Sequence, residues 1–376
     1  MQTPDCGEQI VKVDLSRPYE IHVGYGLLTR LPKTLSSAGV VLGDCRAVVV
    51  SDETVGRLWL DPLSQAVGTS MAGSLLIPGG EGGKSLVSAG KIYDFLIDRH
   101  CDRDTVVLAL GGGVVGDVAG YAAATYLRGI RVVQLPTTLL AQVDASIGGK
   151  VAVNHPAGKN LIGSFHQPSA VVADLQTLAT LPEAVYREGL AEVVKTAIVG
   201  GEDLVSLLEE NAEAVLSRDP ALMTMIVTCC ARVKANLVEA DERDTGQRMA
   251  LNLGHTFAHA IEVAAGFGAV SHGHAVSVGL SLAAVLAEET DFAQLGLARR
   301  TRSMLRALGL PTTLADLPIA LSAAKLVEHL QQDKKRRDGS VRYVLARAPG
   351  DIVVRGDLDA GRVVSVLLRS ERGELN

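Results

Sequence analysis

The segment TVVLALGGGVVGDVAG, residues 105–120, is the strongest indication of fold class in this chain. It begins with a run of apolar and β-branched residues, typical of a buried parallel strand, that ends directly at a cluster of glycines. Gly111, Gly113 and Gly116 have the spacing G-x-G-x-x-G, and a helix-like segment, residues 114–127, follows. Glycines let the backbone approach a pyrophosphate, and the N-terminus of the next helix supplies free N–H groups. The stretch therefore predicts a strand–turn–helix unit that binds a nucleotide, with a tight turn without a ligand as the competing interpretation.

One feature of a dinucleotide-binding unit is missing from this stretch. No acidic residue lies about 20 positions further on, where a ribose ligand is usual, so we expect any ribose to be held from elsewhere. A second glycine loop, GGEGGK at residues 79–84, also lies between a strand-like and a helix-like segment. This loop adds a second wall of backbone with one carboxylate and one lysine.

Around this unit, the chain up to Pro182 alternates short apolar runs with amphipathic segments. The runs with strand length and β-branched content are residues 46–51, 74–78, 105–110, 131–135 and 170–173. The segment 85–99 has helical periodicity, and residues 10–15 and 19–23 are expected to form an antiparallel pair at one sheet edge. Alternating strands and helices predict a mainly parallel sheet with helices on both faces.

From Pro182 onward the pattern changes to helical periodicity, which dominates residues 183–330. Residues 341–346 and 351–354 flank a Pro-Gly turn and predict a small hairpin before a last helix. We therefore expect two domains, with chemistry in a cleft between them. Residues 1–181 would form an α/β Rossmann-like nucleotide-binding domain, and residues 182–376 a mainly α-helical metal- and substrate-binding domain.

The composition limits the classes of function. The 376 residues carry a formal net charge of −6, and 47% of them are hydrophobic. At about 150 residues per domain, this length predicts two domains with real cores rather than disorder. The acidic balance and the 3% of aromatic residues argue against a nucleic-acid-binding surface.

The cysteines and the N-terminus favour a soluble, cytoplasmic protein. The five cysteines are Cys6, Cys45, Cys101, Cys229 and Cys230. Because no two of them form a CxxC pair, we expect reduced thiols rather than disulfides or a zinc ribbon. The first residues, MQTPDCGEQIVKVD, lack the basic and apolar regions of a signal peptide. The apolar stretch 105–127 contains Asp117 and several glycines, so we expect no membrane partner.

The most polar segment of the first half, PTTLLAQVDASIGGKVAVNHPAGKNLIGSFHQP, spans residues 136–168. Lys150 follows two glycines, and Lys159 and Asn160 follow a third. Lysines beside glycines suit oxyanions, because the small backbone lets a phosphate reach both the ammonium and N–H groups. Other polar residues of this region are Thr137, Thr138, Asp144 and Asn154, with Lys84 and Arg128 outside it. The segment predicts an anion-binding region, and a solvated polar loop is the competing interpretation.

Carboxylates and histidines at helical spacing form a second candidate site. The candidate ligands are Glu188, Glu192, His255, His259, His272 and His274. Glu188 and Glu192 lie four residues apart, and carboxylates at this spacing on a helix repel unless a cation or a task separates them. Two histidines with a carboxylate form an open catalytic metal site. Spacing alone does not select the binding histidines, and the lack of H-E-x-x-H argues against a zincin protease.

Taken together, these motifs resemble the 3-dehydroquinate synthase family of the sugar-phosphate cyclase superfamily, over residues 15–370. The blocks that carry the resemblance are GGGVVGDVAG, LRG, PTTLLAQVDASIGGK, NHPAGKN, FHQP, EGLAEVVK, ADERDTG, LNLGHTFAHAIE and DKK. This combination is far more specific than a single glycine motif.

The resemblance implies a role for each matched position. The implied metal ligands are Glu192, His255 and His272. The implied nucleotide contacts are Gly79, Gly80, Glu81, Gly82, Gly83, Lys84, Gly113, Val114, Val115, Gly116, Asp117, Thr137, Thr138, Lys150, Lys159, Thr177, Leu178, Ala179 and Thr180. The implied substrate and catalytic set is Arg128, Asp144, Lys150, Asn160, Lys195, Lys234, Arg248, Asn252 and His259, with Lys334 or Lys335 of the DKK motif.

The activity implied by the resemblance is that of a carbon–oxygen lyase that depends on NAD and a divalent metal, zinc or cobalt. Such enzymes convert 3-deoxy-D-arabino-heptulosonate 7-phosphate to 3-dehydroquinate and phosphate in the shikimate pathway of aromatic amino acid biosynthesis. The implied sequence is transient oxidation by NAD, elimination of phosphate, re-reduction and intramolecular aldol closure. The implied phosphate contacts are Lys150, Asn160, Asn252, His259 and Arg128, and the implied carboxylate contacts are Lys234 and Arg248. His259, Lys195 and Asp144 are implied to manage hydroxyl protons.

Some positions depart from the family pattern. Val151 stands where a threonine is usual, Thr196 where a tyrosine is common, and His274 where a glutamate is frequent. The loop PGGEGGK also differs from the aspartate and bulkier residues often present there. These departures concern the fit of the nicotinamide pocket rather than the implied metal ligands.

Three other functions compete with this interpretation. A cyclase of the sedoheptulose 7-phosphate type has a substrate without a carboxylate and so gives no reason for both Lys234 and Arg248. A metal-dependent polyol dehydrogenase gives no reason for the phosphate-type lysines, and a nucleotide-binding regulatory protein would leave the metal and substrate residues without a role.

The family also suggests a homodimer in which Arg128 reaches a neighbouring site.

Overall fold

The computed structural model describes residues 7–266, 268–336 and 341–375. The chain divides into two compact units. Unit 1 contains the chain up to Pro182 together with Pro220–Arg243. Unit 2 contains Glu183–Asp219 together with the chain from Asp244 onward.

Eleven strands and thirteen α-helices are present in the described residues. The strands are β1 (Gln9–Val13), β2 (Tyr19–Gly24), β3 (Ala47–Asp52), β4 (Met71–Ile77), β5 (Val106–Gly111), β6 (Arg131–Pro136), β7 (Lys150–His155), β8 (Gly158–Phe165), β9 (Ala170–Asp174), β10 (Tyr343–Ala348) and β11 (Asp351–Arg355). The helices are α1 (Leu31–Ser37), α2 (Glu53–Val67), α3 (Leu86–Asp98), α4 (Gly113–Thr125), α5 (Glu183–Gly200), α6 (Glu202–Glu210), α7 (Ala212–Leu216), α8 (Pro220–Ala240), α9 (His255–Ala265), α10 (His272–Glu289), α11 (Leu297–Ala307), α12 (Ala323–Arg336) and α13 (Ala360–Glu371). A short π-helix spans Ala141–Ala145.

Unit 1 is built on a seven-stranded sheet with the order β1-β2-β9-β6-β5-β3-β4. β1 pairs antiparallel with β2, and the remaining pairs of this sheet are parallel. Because successive side chains of a strand point to opposite faces, Val49 and Leu108 enter one core while Val48 and Val107 enter the other. The sheet is buried on both faces, which confirms the predicted α/β architecture.

Residues 150–165 of the polar segment 136–168 form a β-hairpin, an element that the prediction of an anion-binding region did not include. Strands β7 and β8 pair antiparallel over this segment. Within β7, Val151 and Val153 are buried while Lys150 and His155 are exposed, the alternation expected of a half-buried strand. A Cβ on Gly120 of α4 would lie 2.4 Å from Val151 Cγ1, so the absence of a side chain there lets the hairpin pack on α4.

Helix α8 belongs to unit 1, although the boundary predicted from sequence places residues 220–243 with the helical part of the chain. It packs against β1, β2 and the π-helix, and Met223, Val227 and Cys230 are buried on it. By length and composition α8 is apolar enough to cross a membrane, and half of its most apolar stretch is buried in this packing. Helical periodicity reports the type of an element, not its packing partner, so the sequence could not place α8.

Unit 2 consists of α5 to α7 and α9 to α13 with the antiparallel hairpin β10–β11. Helix α10 is buried along most of its length and packs against α5, α9 and α11. It is therefore the central helix of unit 2. Its first residue is His272, and the first residue of α9 is His255.

Candidate active site

Most of the residues predicted to bind a nucleotide lie at one edge of the unit 1 sheet, whereas Lys150 and Lys159 lie on the hairpin strands β7 and β8. The residues at this edge follow the carboxyl ends of four parallel strands: residues 79–84 after β4, 113–117 after β5, 137–138 after β6 and 177–180 after β9. In the sheet, β4 lies on one side of β3 and the next strand of the chain, β5, lies on the other side. The strand order therefore reverses at β3. Open α/β sheets bind ligands outside the carboxyl ends of the strands at such a reversal of strand order.

An ion pair joins the two glycine loops at this edge. Lys84 is only 7% exposed and its ammonium contacts the carboxylate of Asp117 on α4. Burial raises the pKa of Asp117, and the positive charge of Lys84 opposes that rise. Asn154 of β7 also donates from Nδ2 to Oε1 of Glu81, at 2.7 Å. The loop 79–84 is therefore attached both to α4 and to the hairpin.

The hydroxyl of Thr137 supports a ligand at this edge. Its N–H donates to the carbonyl of Gly111, 3.0 Å away, which fixes the end of β6 beside the end of β5. The Oγ1 atom is buried, and no described residue provides it with a hydrogen-bond partner. Leaving a buried hydroxyl unpaired costs about 1–3 kcal/mol. A bound nucleotide that bonds to this oxygen would remove that cost.

The π-helix positions a second pair of predicted residues within unit 1. Lys234 of α8 is 6% exposed, and its Nζ donates to the carbonyl oxygen of Asp144, 2.6 Å away, and to the Asp144 carboxylate. Single π-turns often occur at functional sites, because the extra residue turns a side chain out of the helical register. Here the π-turn presents both acceptors of Asp144 to one ammonium group.

Three predicted ligands meet inside unit 2. One donor atom each from Glu192, His255 and His272 lies within 4.8 Å of the other two. The Glu192 Oε1 atom is 3.2 Å from Nε2 of His272 and 3.5 Å from Nε2 of His255. Ligand atoms held about 2 Å from one zinc ion in a tetrahedral arrangement are themselves about 3.3 Å apart. The three side chains therefore fit a single divalent cation with an open position.

Glycines with no room for a side chain bring the three ligand helices together. A Cβ on Gly273, next to His272, would lie 2.4 Å from the backbone oxygen of Glu188 on α5. A Cβ on Gly279 of α10 would lie 2.3 Å from the backbone oxygen of Gly254, the residue before His255. Gly254 itself has φ of +77°, a conformation that favours glycine. Backbone-to-backbone contact thus sets the distances between α5, α9 and α10.

The charges around this cluster favour a cation. Burial would raise the pKa of Glu192, but the ammonium of Lys195, 2.5 Å from Oε2, and the two histidines hold it well below its usual range. Although burial lowers the pKa of His272, hydrogen bonds to Glu192 and Glu262 raise it to about 10. The two carboxylates thus stabilise a positive charge at His272, whether a proton or a metal ion supplies it.

Sequence reasoning missed Glu262, which belongs to this cluster. Its Oε1 lies 3.4 Å from Nδ1 of His272, and its side chain is 7% exposed. A signal was present in the motif LNLGHTFAHAIE, where Glu262 follows His255 by two helical turns and so lies on the same face of the helix. A charged residue on a helical face that is otherwise apolar indicates a buried partner for that charge.

The comparisons with known proteins agree with these features. Family models described as "3-dehydroquinate synthase N-terminal" and "3-dehydroquinate synthase C-terminal" match residues 74–188 and 189–336. The chain is 44% identical to the 3-dehydroquinate synthase of Halorhodospira halophila, over 94% of this chain and 97% of that one. It is 45% identical to that of Geobacter metallireducens, over 93% and 96%. The chain belongs to the 3-dehydroquinate synthase family.

Solved structures extend the comparison beyond the 3-dehydroquinate synthase family. One similar structure is ValA, a 2-epi-5-epi-valiolone synthase from Streptomyces hygroscopicus subsp. jinggangensis 5008 with NAD+ and Zn2+ bound. It is 28% identical to this chain and has a TM-score of 0.84, over 94% of this chain and 97% of that one. A 2-deoxy-scyllo-inosose synthase has a TM-score of 0.85 at 24% identity, over 97% and 100%, and shows the fold alone.

The remaining residues implied for the 3-dehydroquinate synthase family are spread over both units. Lys150, Asn160 and Arg128 are exposed in unit 1, and Lys159 is half-buried. In unit 2, Arg248 is 2% exposed, and Asn252 and His259 line a cavity of about 360 Å³ together with His255. Glu188 and His274 lie outside the three-ligand group, and Lys334 and Lys335 have side chains outside the described set.

Proposed function

We propose that the chain is a 3-dehydroquinate synthase, which converts 3-deoxy-D-arabino-heptulosonate 7-phosphate to 3-dehydroquinate and inorganic phosphate. The observation that carries the proposal is the convergence of Glu192, His255 and His272 in a member of this family. The enzyme would be a cytoplasmic carbon–oxygen lyase that uses NAD and Zn2+ or Co2+. The binding of NAD+ and Zn2+ by the related ValA supports this choice of cofactors.

When bound, NAD takes up and returns one hydride, and the divalent cation polarises the substrate's hydroxyl groups. Glu192, His255 and His272 would hold the cation. The buried ammonium of Lys195 keeps Glu192 ionised and therefore able to act as a ligand. In unit 1, the hydroxyl of Thr137 would gain a hydrogen-bond partner from the nucleotide.

The proposed substrate carries an anion at each end, and the chain supplies cations for both. The family resemblance assigns Lys150, Asn160, Arg128, Asn252 and His259 to the phosphate. Lys234 and Arg248 are assigned to the carboxylate. Both of these side chains are at least nine-tenths buried, where water screens a charge little, and Lys234 also contacts the carboxylate of Asp144.

Proton transfer is proposed for three residues that the family resemblance implies. His259, Lys195 and Asp144 are assigned this role, and the ring of His259 lies 5.6 Å from that of His255. Over the whole reaction one carbon–oxygen bond to phosphate breaks and one carbon–carbon bond forms, and NAD is regenerated. Fixing both ends of an open chain in one geometry is the main contribution of a protein to such a cyclisation.

Phosphate release by the purified protein tests this function. With NAD and Co2+ or Zn2+, we expect release of phosphate from the heptulosonate phosphate and formation of 3-dehydroquinate, without accumulation of NADH. Sedoheptulose 7-phosphate, which lacks the carboxylate, is the matched control and should not turn over. Turnover of this sugar phosphate alone would favour a different cyclase, and NADH accumulation with glycerol would favour a polyol dehydrogenase.

We further propose a homodimer in which Arg128 acts on the site of the neighbouring copy. Leu127 and Arg128 have φ of 49° and 69°, and the Arg128 side chain is exposed. Such conformations cost about 1–3 kcal/mol each, and they persist where function requires them. We expect a dimer of 39.4 kDa chains by light scattering.

Mixing two inactive variants tests the role of Arg128. The variants Arg128→Ala and His272→Ala should each have little activity. If Arg128 acts across the dimer, a mixed dimer has one site that lacks both groups and one intact site, so activity returns on mixing. No recovery in dimers shown to have exchanged subunits would place Arg128 in the site of its own chain.

A further inference from the structure

His272 lies between two buried carboxylates, only one of which belongs to the proposed ligand set. We propose that Glu262 is a positioning residue, which orients the ring of His272 for a divalent cation and so sets the affinity of unit 2 for metal. This inference rests on the metal site of the proposed function. It adds a residue that touches the ligand rather than the ion.

The two nitrogens of His272 face different partners. Nε2 lies 3.2 Å from Glu192 Oε1, on the side of the other ligands, and Nδ1 lies 3.4 Å from Glu262 Oε1. A neutral imidazole has one N–H and one lone pair. When the Nδ1 proton is donated to Glu262, the lone pair of Nε2 points toward Glu192 and His255. Glu262 thereby selects the tautomer that can bind a cation.

Burial gives the second reason to assign Glu262 a task. Its side chain is 7% exposed on α9, close to the apolar residues Ala258 and Ile261, which are fully buried. A carboxylate is costly in such a place unless hydrogen bonds or opposite charge offset the loss of hydration. A contact with a histidine that itself binds a cation contributes to that compensation.

Helix geometry allows α9 to serve two ligands at once. His255 and Glu262 are seven residues apart, two turns on one face of α9. The first residue of this pair supplies a ligand directly, and the second orients a ligand on α10. The charge of Glu262 also increases the electron density on the imidazole, which strengthens its bond to a metal.

Metal titration of the full chain after removal of metal tests the proposal. Co2+ is the probe, because its visible absorption reports the ligand geometry, and Zn2+ is measured by competition with a chromophoric chelator. Glu262→Leu removes the acceptor, and Glu262→Gln keeps an uncharged one. We expect the Kd to rise about 10- to 100-fold in Glu262→Leu, less in Glu262→Gln, and the Co2+ absorption to change in both.

Two controls separate positioning from a general loss of structure. Glu288→Gln alters another unit 2 carboxylate, which accepts a hydrogen bond from the N–H of Ala298 at 2.8 Å, and should leave the Kd for metal unchanged. In a His272→Ala background, Glu262→Leu should cause no further loss of affinity, because the residue that it orients is gone. Because this double-mutant cycle compares the effect of Glu262→Leu with and without His272, it still tests the proposal if the variants are less stable.

Three outcomes would overturn the proposal. They are a wild-type Kd and absorption spectrum in both Glu262 variants, an equal loss of affinity with and without His272, and an equal loss in Glu288→Gln. Failure of the wild-type chain to bind Co2+ or Zn2+ at all would overturn the metal site itself. The titration thus distinguishes an error in the proposed function from an error in the role of Glu262.

Discussion

Glu192 and Lys195 form an ion pair one turn apart on α5, in which both side chains are at most 2% exposed. Removing two charges from water costs several kcal/mol per ion, and the attraction between them in the interior offsets much of that cost. The pair is therefore sensitive to loss of either member alone. Lys195 therefore stabilises the buried carboxylate of Glu192, in addition to the role in proton transfer proposed for it.

Substitution of one member alone should reveal this dependence. We expect Glu192→Gln to lower the free energy of unfolding of the metal-free chain by about 3 kcal/mol, because the ammonium of Lys195 remains buried without the charge of the Glu192 carboxylate. Urea unfolding in the presence of a chelator measures the change. The double variant Glu192→Gln/Lys195→Met should recover most of the loss. A single variant as stable as the wild type would show that the pair contributes little.

At the level of elements, the packing of α10 on α5 depends on the absence of a side chain at Gly273. The obstacle to a side chain is the backbone of Glu188, which cannot rotate away as a flexible side chain can. The spacing of Glu192 and His272 follows from this contact. The ligand geometry is thus a property of helix packing as much as of the ligands themselves.

The variant Gly273→Ala should lower both stability and metal affinity. A Cβ 2.4 Å from a backbone oxygen forces α10 to shift, which moves His272 away from Glu192. We expect a loss of about 1–3 kcal/mol in unfolding free energy, typical of overpacking, and at least a tenfold weaker Kd for Zn2+. Gly90→Ala on α3 is the control, since its Cβ would meet no atom within 4 Å. Equal effects of the two substitutions would contradict this account.

The hairpin β7–β8 depends on Asn154 for its connection to the loop 79–84. Its Oδ1 accepts from the N–H of Asn160 at 2.9 Å, and its Nδ2 donates to Glu81. In Asn154→Ala, we expect faster amide hydrogen exchange at both ends of this bridge. Asn154→Asp keeps the acceptor, so exchange should quicken around Glu81 while Asn160 stays protected. Unchanged exchange in both variants would show that the bridge is not held in solution.

At the level of the whole molecule, the two proposed cofactors belong to different units. The three metal ligands all lie in unit 2, and the proposed nucleotide residues all lie in unit 1. A ligand stabilises the structure that binds it by an amount set by its concentration relative to Kd, about 2.7 kcal/mol at 100 times Kd. Each cofactor should therefore protect its own unit first.

Hydrogen exchange resolved along the chain measures this division. We expect Zn2+ to slow exchange mainly in residues 183–219 and 244–375, and NAD mainly in residues 7–182 and 220–243. Helix α8 is the decisive segment, because it should follow NAD rather than metal despite its position in the sequence. Protection of α8 by metal alone would contradict its assignment to unit 1.

Much of the fold is predictable from local patterns. The apolar run and glycine turn of residues 105–120 form β5 and the start of α4, and the early segments form the antiparallel edge of the sheet. Periodicity and turn residues act over a few positions, so a sequence displays them directly. The family resemblance likewise identified Glu192, His255 and His272, which the structure brings together.

Other features depend on contacts between residues distant in the sequence. Local patterns were enough to predict the α/β and helical character of the two parts of the chain and to select the side chains proposed for its chemistry. The packing of α8 with the sheet, the contact of Glu262 with His272 and that of Lys234 with Asp144 became visible in the folded chain alone. The reason is physical: periodicity shows which face of an element is buried, whereas its partner is chosen by shape, such as the backbone contacts at Gly273 and Gly279, and by the charges buried beside it.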